Sequence, residues 1–217
     1  GTIETSMLYT RQRMPRLPAD IAIRQSGSAD LPDIAALLKA QGQHKQFFPY
    51  WDVNRVHGDE YCYGLNASSF LLLRIGGELK GVLGFWDQKP IKQTRVLGYT
   101  RGMGMMRHLY NTHSVLRGGM RLPAPGGVLS YLSLHSVIVS NDDPELLRLL
   151  LDYAVAFFHG RYDALICGFF QQDRLAKVAE DYRRRLLLSE HFLVSYDGDP
   201  RGTLDMNRPW YVEVARL

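Results

Sequence analysis

The sequence predicts an α/β protein built on a mixed sheet with helices on both faces. Three observations carry that reading. Ser69–Ile75 and Lys80–Trp86 are apolar runs joined by Gly76-Gly77, a hairpin signal because glycines accept the positive backbone angles of a tight turn. Residues 128–139 read as a long strand with period-two alternation at Leu132, Leu134, Ser136 and Ile138. After Ser140-Asn141-Asp142-Asp143-Pro144, a strong helix start, Leu147, Leu150, Leu151, Ala154, Phe157 and Phe158 recur at helical spacing over 143–158.

The remaining elements follow in chain order. Residues 1–20 read as a tail or linker, with Arg11, Arg13, Arg16, Pro15 and Pro18 in a lead-in of interdomain character. Residues 21–28 alternate briefly as a first strand. Asp30 then caps a helix whose apolar face is Leu31, Ile34, Leu37 and Leu38. Residues 43–66, rich in aromatics and histidine, suggest one or two short helices. Met103–Leu116 suggests a helix, closed by the turn chemistry of Leu122–Gly127. Beyond the central helix come a buried strand over 163–170, a charged helix over 173–185 and a strand over 186–196. Trp210–Arg216 reads as a terminal strand.

Composition narrows the class. The 217 residues are 46% apolar and 22% charged, which excludes a disordered chain. Apolar runs stop at Tyr153–Phe158 length, far short of the ~20 residues that span a bilayer. With no secretory pattern at the N-terminus, a cytoplasmic protein without membrane partners is expected. Cys62 and Cys167 are too few for a disulfide framework, and histidine spacing gives no metal site.

The positive charge is local. Lys89, Lys92, Arg95, Arg101, Arg107, Arg117 and Arg121 fall between Lys89 and Gly127, a stretch without Asp or Glu. The other 19 basic residues are outnumbered by 22 acidic ones. One basic segment suits an anionic partner such as a phosphorylated cofactor. A solvated basic loop is the plainer alternative, and no nucleic-acid-binding signature accompanies the charge.

Taken together, residues 21–38, 69–86 and 128–170 resemble the opening, the central hairpin and the strand–helix–strand core of the GNAT (acyl-CoA N-acyltransferase) superfamily. The resemblance implies a mostly antiparallel, twisted sheet and a GNAT-like acyltransferase domain over 21–217. Residues 89–127 would be a basic insertion between its third and fourth strands. It also implies acetyl-CoA or another acyl-CoA as donor, and a small-molecule or peptide amine as acceptor. A second GNAT-like domain or a homodimer is the further partner it suggests.

The family holds the cofactor pyrophosphate on a glycine-rich loop at a helix start. Here that place is Ser140-Asn141-Asp142-Asp143-Pro144-Glu145, which has no glycine, lacks one N–H at Pro144, and carries three carboxylates. Ser140 and Asn141 are the nearest equivalents of a cradle, and the backbone N–H groups of His135–Val139, Val137 and Val139 included, would polarise the thioester carbonyl. Arg101-Gly102-Met103-Gly104 is a partial match to the missing loop, which makes Arg101 and Gly104 alternative phosphate contacts. His135, beside Ser136, is the candidate base, with Tyr131 and Ser133 on the same strand face. Tyr182 is the candidate acid, two residues from the position that the family's tyrosine pattern gives. The absent loop motif supports a second reading: a catalytically degenerate domain that binds a ligand or partner.

Overall fold

A computed structural model describes residues 1–49, 52, 62–196, 198–205 and 207–217. Its strands are β1 (Thr2–Tyr9), β2 (Ile21–Gln25), β3 (Phe70–Ile75), β4 (Glu78–Trp86), β5 (Tyr131–Val139), β6 (Ala164–Phe170) and β7 (Arg184–Glu190). The α-helices are α1 (Leu31–Gly42), α2 (Arg101–Arg117) and α3 (Pro144–Phe157). The strands form one sheet in the order β2-β3-β4-β5-β6-β1-β7. Every pairing is antiparallel except β5 with β6. The expected mixed, mostly antiparallel sheet is therefore present.

Its two faces separate by strand alternation. Phe70 and Leu72 point with Val82 and Ile138 toward Ile34 and Leu38 of α1. Leu71, Leu73 and Leu83 point toward Leu147, Leu150, Leu151 and Ala154 of α3. Those four α3 side chains are fully buried, and each leucine contributes about 1.5–3 kcal/mol. The β3–β4 turn uses Gly76 and Gly77 at φ 56° and 88°, as their spacing requires.

Three expectations give way. Residues 2–9, read as part of a tail, form a strand inside the sheet, between β6 and β7. Its partners lie more than 150 residues away, so no local pattern reveals it. The helix expected over 173–185 is a short 3₁₀ segment, Ala176–Asp181, and the chain is already extended at Arg184 because β1 offers it an edge. The arginines 183–185 are thus not a helix end; Arg184 lies on β7, within 3.7 Å of Glu4. Residues 210–216 run extended but join no ladder beyond a bridge from Gln46 to Trp210, and finish in a 3₁₀ turn at Val214–Arg216. Of the stretch 43–66, where short helices are expected, residues 50, 51 and 53–61 lie outside the described residues, while 43–49 form turns and the bridge at Gln46 in place of a helix.

Candidate functional site

β5 and β6 pair only at their starts, Tyr131–Ser133 against Ala164–Ile166, and separate beyond. A bulge on β5 marks the point of separation. The β4 register jumps between Val82 and Gly84, and Ser136 adopts φ 47°. One extra residue reverses the alternation, so His135 and Ile138 share the α1 face. The expected alternation through Ser136 and Ile138 fails for that reason.

The chain's own C-terminal segment fills the gap. Glu213 Oε2 accepts the Ser136 N–H at 2.8 Å and the Tyr211 hydroxyl at 3.1 Å. Burial raises the Glu213 carboxyl to about 7, against the pull of those donors and of Arg216. Gly168 on β6 leaves room for Val214: a Cβ there would stand 2.2 Å from Val214 Cγ2. Ser133 donates to Gln88 Oε1, and the Gln88 amide donates to the Ala215 carbonyl, so a buried polar chain ties the segment to β5.

His135 lies in the same region but is closed off. Its ring crosses Gly84, where a Cβ would come within 2.2 Å, and packs edge-on to Phe70. Nδ1 is 3.2 Å from Ser136 Oγ. Burial, with Arg216 adding to it, lowers the imidazole to about 3. Tyr131 reaches Thr94 and Ser133 reaches Gln88 on the same side of the strand. Tyr182 stands apart, on the α3 face. Its hydroxyl donates to Asp152 and to the Arg148 carbonyl, and burial pushes its pKa well up. The structure brings His135 and Ser136 together and leaves Tyr182 across the sheet.

At the far end of β5, Ser140–Asp142 makes a 3₁₀ turn with Asn141 and Asp142 at φ 57° and 49°. Asp143 caps α3 by accepting the Glu145 N–H, with Pro144 first in the helix. Asp142 takes a different role. Its carboxylate pairs at 2.6 Å with Lys45, whose side chain is 2% exposed. This pair stands between two cavities. One, of about 410 Å³, is lined by Asp142, Gln172, Asp173, Arg174 and Trp210. The other, of about 640 Å³, is lined by Lys39, Lys45, Phe47 and Phe48. Arg208 borders both. Burial raises the Asp173 carboxyl, and Lys45 opposes the shift.

Acyl-coenzyme A does not fit these residues as they stand. The Ser136 N–H expected to polarise a thioester already serves Glu213, and Val137 gives its backbone hydrogen bond to Tyr211. The loop after Val139 presents Asp142 and Asp143 where phosphates would need donors, and Pro144 has no N–H to give. Ser140 and Asn141 belong to that loop, and the Asn141 N–H goes to Gln41. The basic insertion cannot make up the deficit. It is fastened at the starts of β5 and β6, through Arg121 to Asp163 and Thr94 to Tyr131. That end lies roughly 26 Å along β5 from the loop, at ~3.3 Å per residue. Arg101 and Gly104 sit in the first turn of α2 within this insertion.

Helix α2 turns Arg107, Asn111 and Ser114 inward and leaves Met105, Leu109 and Leu116 exposed. Cys167 is core, its thiol pushed up to about 12 by burial. Among the described residues no group of three His, Cys, Asp or Glu is placed to hold a metal ion, and no helix is long and apolar enough to cross a membrane.

Sequence reasoning missed Glu213 and Lys45. A faint signal existed in Gly168, since glycine inside an apolar strand often marks close approach of another segment.

No family model matches the chain, and no curated protein matches it. Among solved structures, it is similar to a chain from Novosphingobium aromaticivorans described as an acetyltransferase by assignment to the GNAT family. The two are 15% identical, with a TM-score of 0.47 over 88% of this chain. This chain spans 65% of the length of that one.

Proposed function

We propose that this chain is a GNAT-like domain that binds a ligand or partner and does not carry out acyl transfer in this conformation. The observation that supports the reading is the Glu213 carboxylate on the Ser136 N–H, one of the N–H groups that the resemblance assigns to the thioester carbonyl. A cofactor carbonyl there would have to displace a half-buried, doubly hydrogen-bonded side chain. Its phosphates would meet Asp143, and Asp142 with its charge already paired to Lys45. At ~6 Å and an effective dielectric near 20, the like-charge pair with Asp143 costs on the order of 2–3 kcal/mol before screening.

Calorimetry with acetyl-coenzyme A at low salt tests this. The expected result is no saturable binding below ~1 mM, equivalent to less than about 4 kcal/mol. Micromolar binding by the unaltered chain overturns the reading.

One observation favours a second reading, acyl transfer to an amine after the segment lifts away: the strands still diverge beneath it. A chain ending at Arg208 that stays folded by circular dichroism and gains coenzyme A affinity would support it.

A further inference from the structure

β7 closes the sheet order, so among the described residues no strand lies beside its outer backbone edge. Natural edge strands are guarded by charge, proline, bulges or shortness, because an open edge templates pairing with another chain. β7 has seven residues, and three consecutive leucines at its centre are open: Leu186 is 41% exposed, Leu187 65% and Leu188 56%. Three such residues in a row expose apolar surface on both faces of the strand. Neither α1 nor α3 covers it.

The ends of the strand carry opposite charges. Arg184 stands at the start, its guanidinium on Ser6 and near Glu4, and Glu190 at the end, bonded to Thr2. By alternation Arg184, Leu186, Leu188 and Glu190 share one face, which the cross-strand partners Leu8, Ser6, Glu4 and Thr2 confirm.

We propose that β7 pairs antiparallel with β7 of a second copy of this chain, about a two-fold axis through Leu187. A two-fold axis perpendicular to a sheet keeps each face on its own side, so opposed residues must have the same parity. Centred on Leu187, the register sets Leu186 against Leu188 of the partner subunit, twice. It sets Arg184 against the partner's Glu190, also twice. The two apolar pairs are flanked by two pairs of opposite charge on one face. On the other face Leu187 meets the partner's Leu187, and Arg185 meets the partner's Ser189. No like charges oppose each other across the seam. The surface is complementary to itself, which is what a two-fold interface requires, and the chemistry selects a second copy over an unrelated acidic or basic partner. The proposal is independent of what the β5–β6 gap binds.

Disulfide trapping tests it. Opposed residues in an antiparallel pair have Cβ atoms ~4.5–5.5 Å apart, close enough for oxidation to bridge them. Leu187→Cys is therefore expected to give a covalent dimer under mild oxidation. Leu188→Cys, offset by two residues from its own symmetry mate, is expected to stay uncrosslinked. Cys62 and Cys167 are buried and do not compete. Light scattering on the unaltered chain should show twice the chain mass, and Glu190→Lys should weaken the dimer about tenfold. A monomer at all concentrations, trapping at Leu188 in place of Leu187, or an unmoved dimer in Glu190→Lys would each overturn the proposal.

Discussion

The Glu213 carboxylate and the Ser136 backbone N–H meet at 2.8 Å inside the gap between β5 and β6. A bulge residue with a left-handed backbone points its N–H out of the ladder, and an acidic side chain from the C-terminus takes it. The bond closes a place where the fold itself leaves the sheet open.

Its energetics depend on pH. The Glu213 carboxyl is raised from 4.5 to about 7 in the folded chain. Between those values the folded state holds a proton that the unfolded state releases. The associated stability is complete below pH 4.5 and is lost as pH rises through 7. Glu213→Gln keeps an acceptor for Ser136 without the half-buried charge. From pH 5 to pH 8 its stability should therefore improve relative to the unaltered chain, by on the order of 3 kcal/mol. Urea unfolding at both pH values measures this, and parallel pH profiles would refute it.

His135 has the opposite sign. Its folded value of about 3 lies below the ordinary 6.5, so the unfolded chain protonates first. The contribution is complete above pH 6.5 and is lost as pH falls toward 3. Its imidazole resonances should stay fixed from pH 8 to pH 5. At pH 4.5 the loss should reach about 2–3 kcal/mol. An NMR titration of His135 near pH 6.5 would show that the ring reaches solvent.

How much of this was legible differs by element. α3 and the β3–β4 hairpin announce themselves because their signals are local: helical spacing of Leu147, Leu150 and Ala154, and two glycines between apolar runs. β1 is invisible because Ile3, Ser6 and Leu8 acquire their burial from strands at the opposite end of the chain. Residues 173–185 carry helical spacing at Leu175, Val178 and Ala179, yet the competing edge of β1 extends the chain from Arg184. The site was legible in part. His135 and Ser136 were singled out, while Glu213, nearly eighty residues on, had no pattern to connect it to them.

Asp142 and Asp143 look alike in sequence, both being suitable helix caps, but the structure gives them unequal roles. Asp143→Asn should change stability by less than about 0.5 kcal/mol, since asparagine caps as well as aspartate. Asp142→Asn removes the partner of a lysine that is 2% exposed. Leaving a buried ammonium without its ion pair should cost about 3 kcal/mol, with nearby Asp173 offsetting part of the loss. Equal effects of the two substitutions in thermal or urea unfolding would contradict this assignment.

Gly168 gives the most direct handle on the C-terminal segment. A methyl at this position would stand 2.2 Å from Val214 Cγ2 but 3.3 Å from Val214 Cβ. The first contact is impossible without movement; the second needs a few tenths of an ångström. Gly168→Ala should therefore overpack the gap, costing about 1–3 kcal/mol, and should speed tryptic cleavage at Arg216 as the segment loosens. Val214→Ala alone should cost about 1 kcal/mol for the lost methyl groups. In the double variant the offending Cγ2 is gone, so the two changes should offset each other by at least 0.5 kcal/mol, as contacting residues do in a double-mutant cycle. Strictly additive effects, with unchanged proteolysis in Gly168→Ala, would mean that residues 210–217 do not occupy the gap in solution.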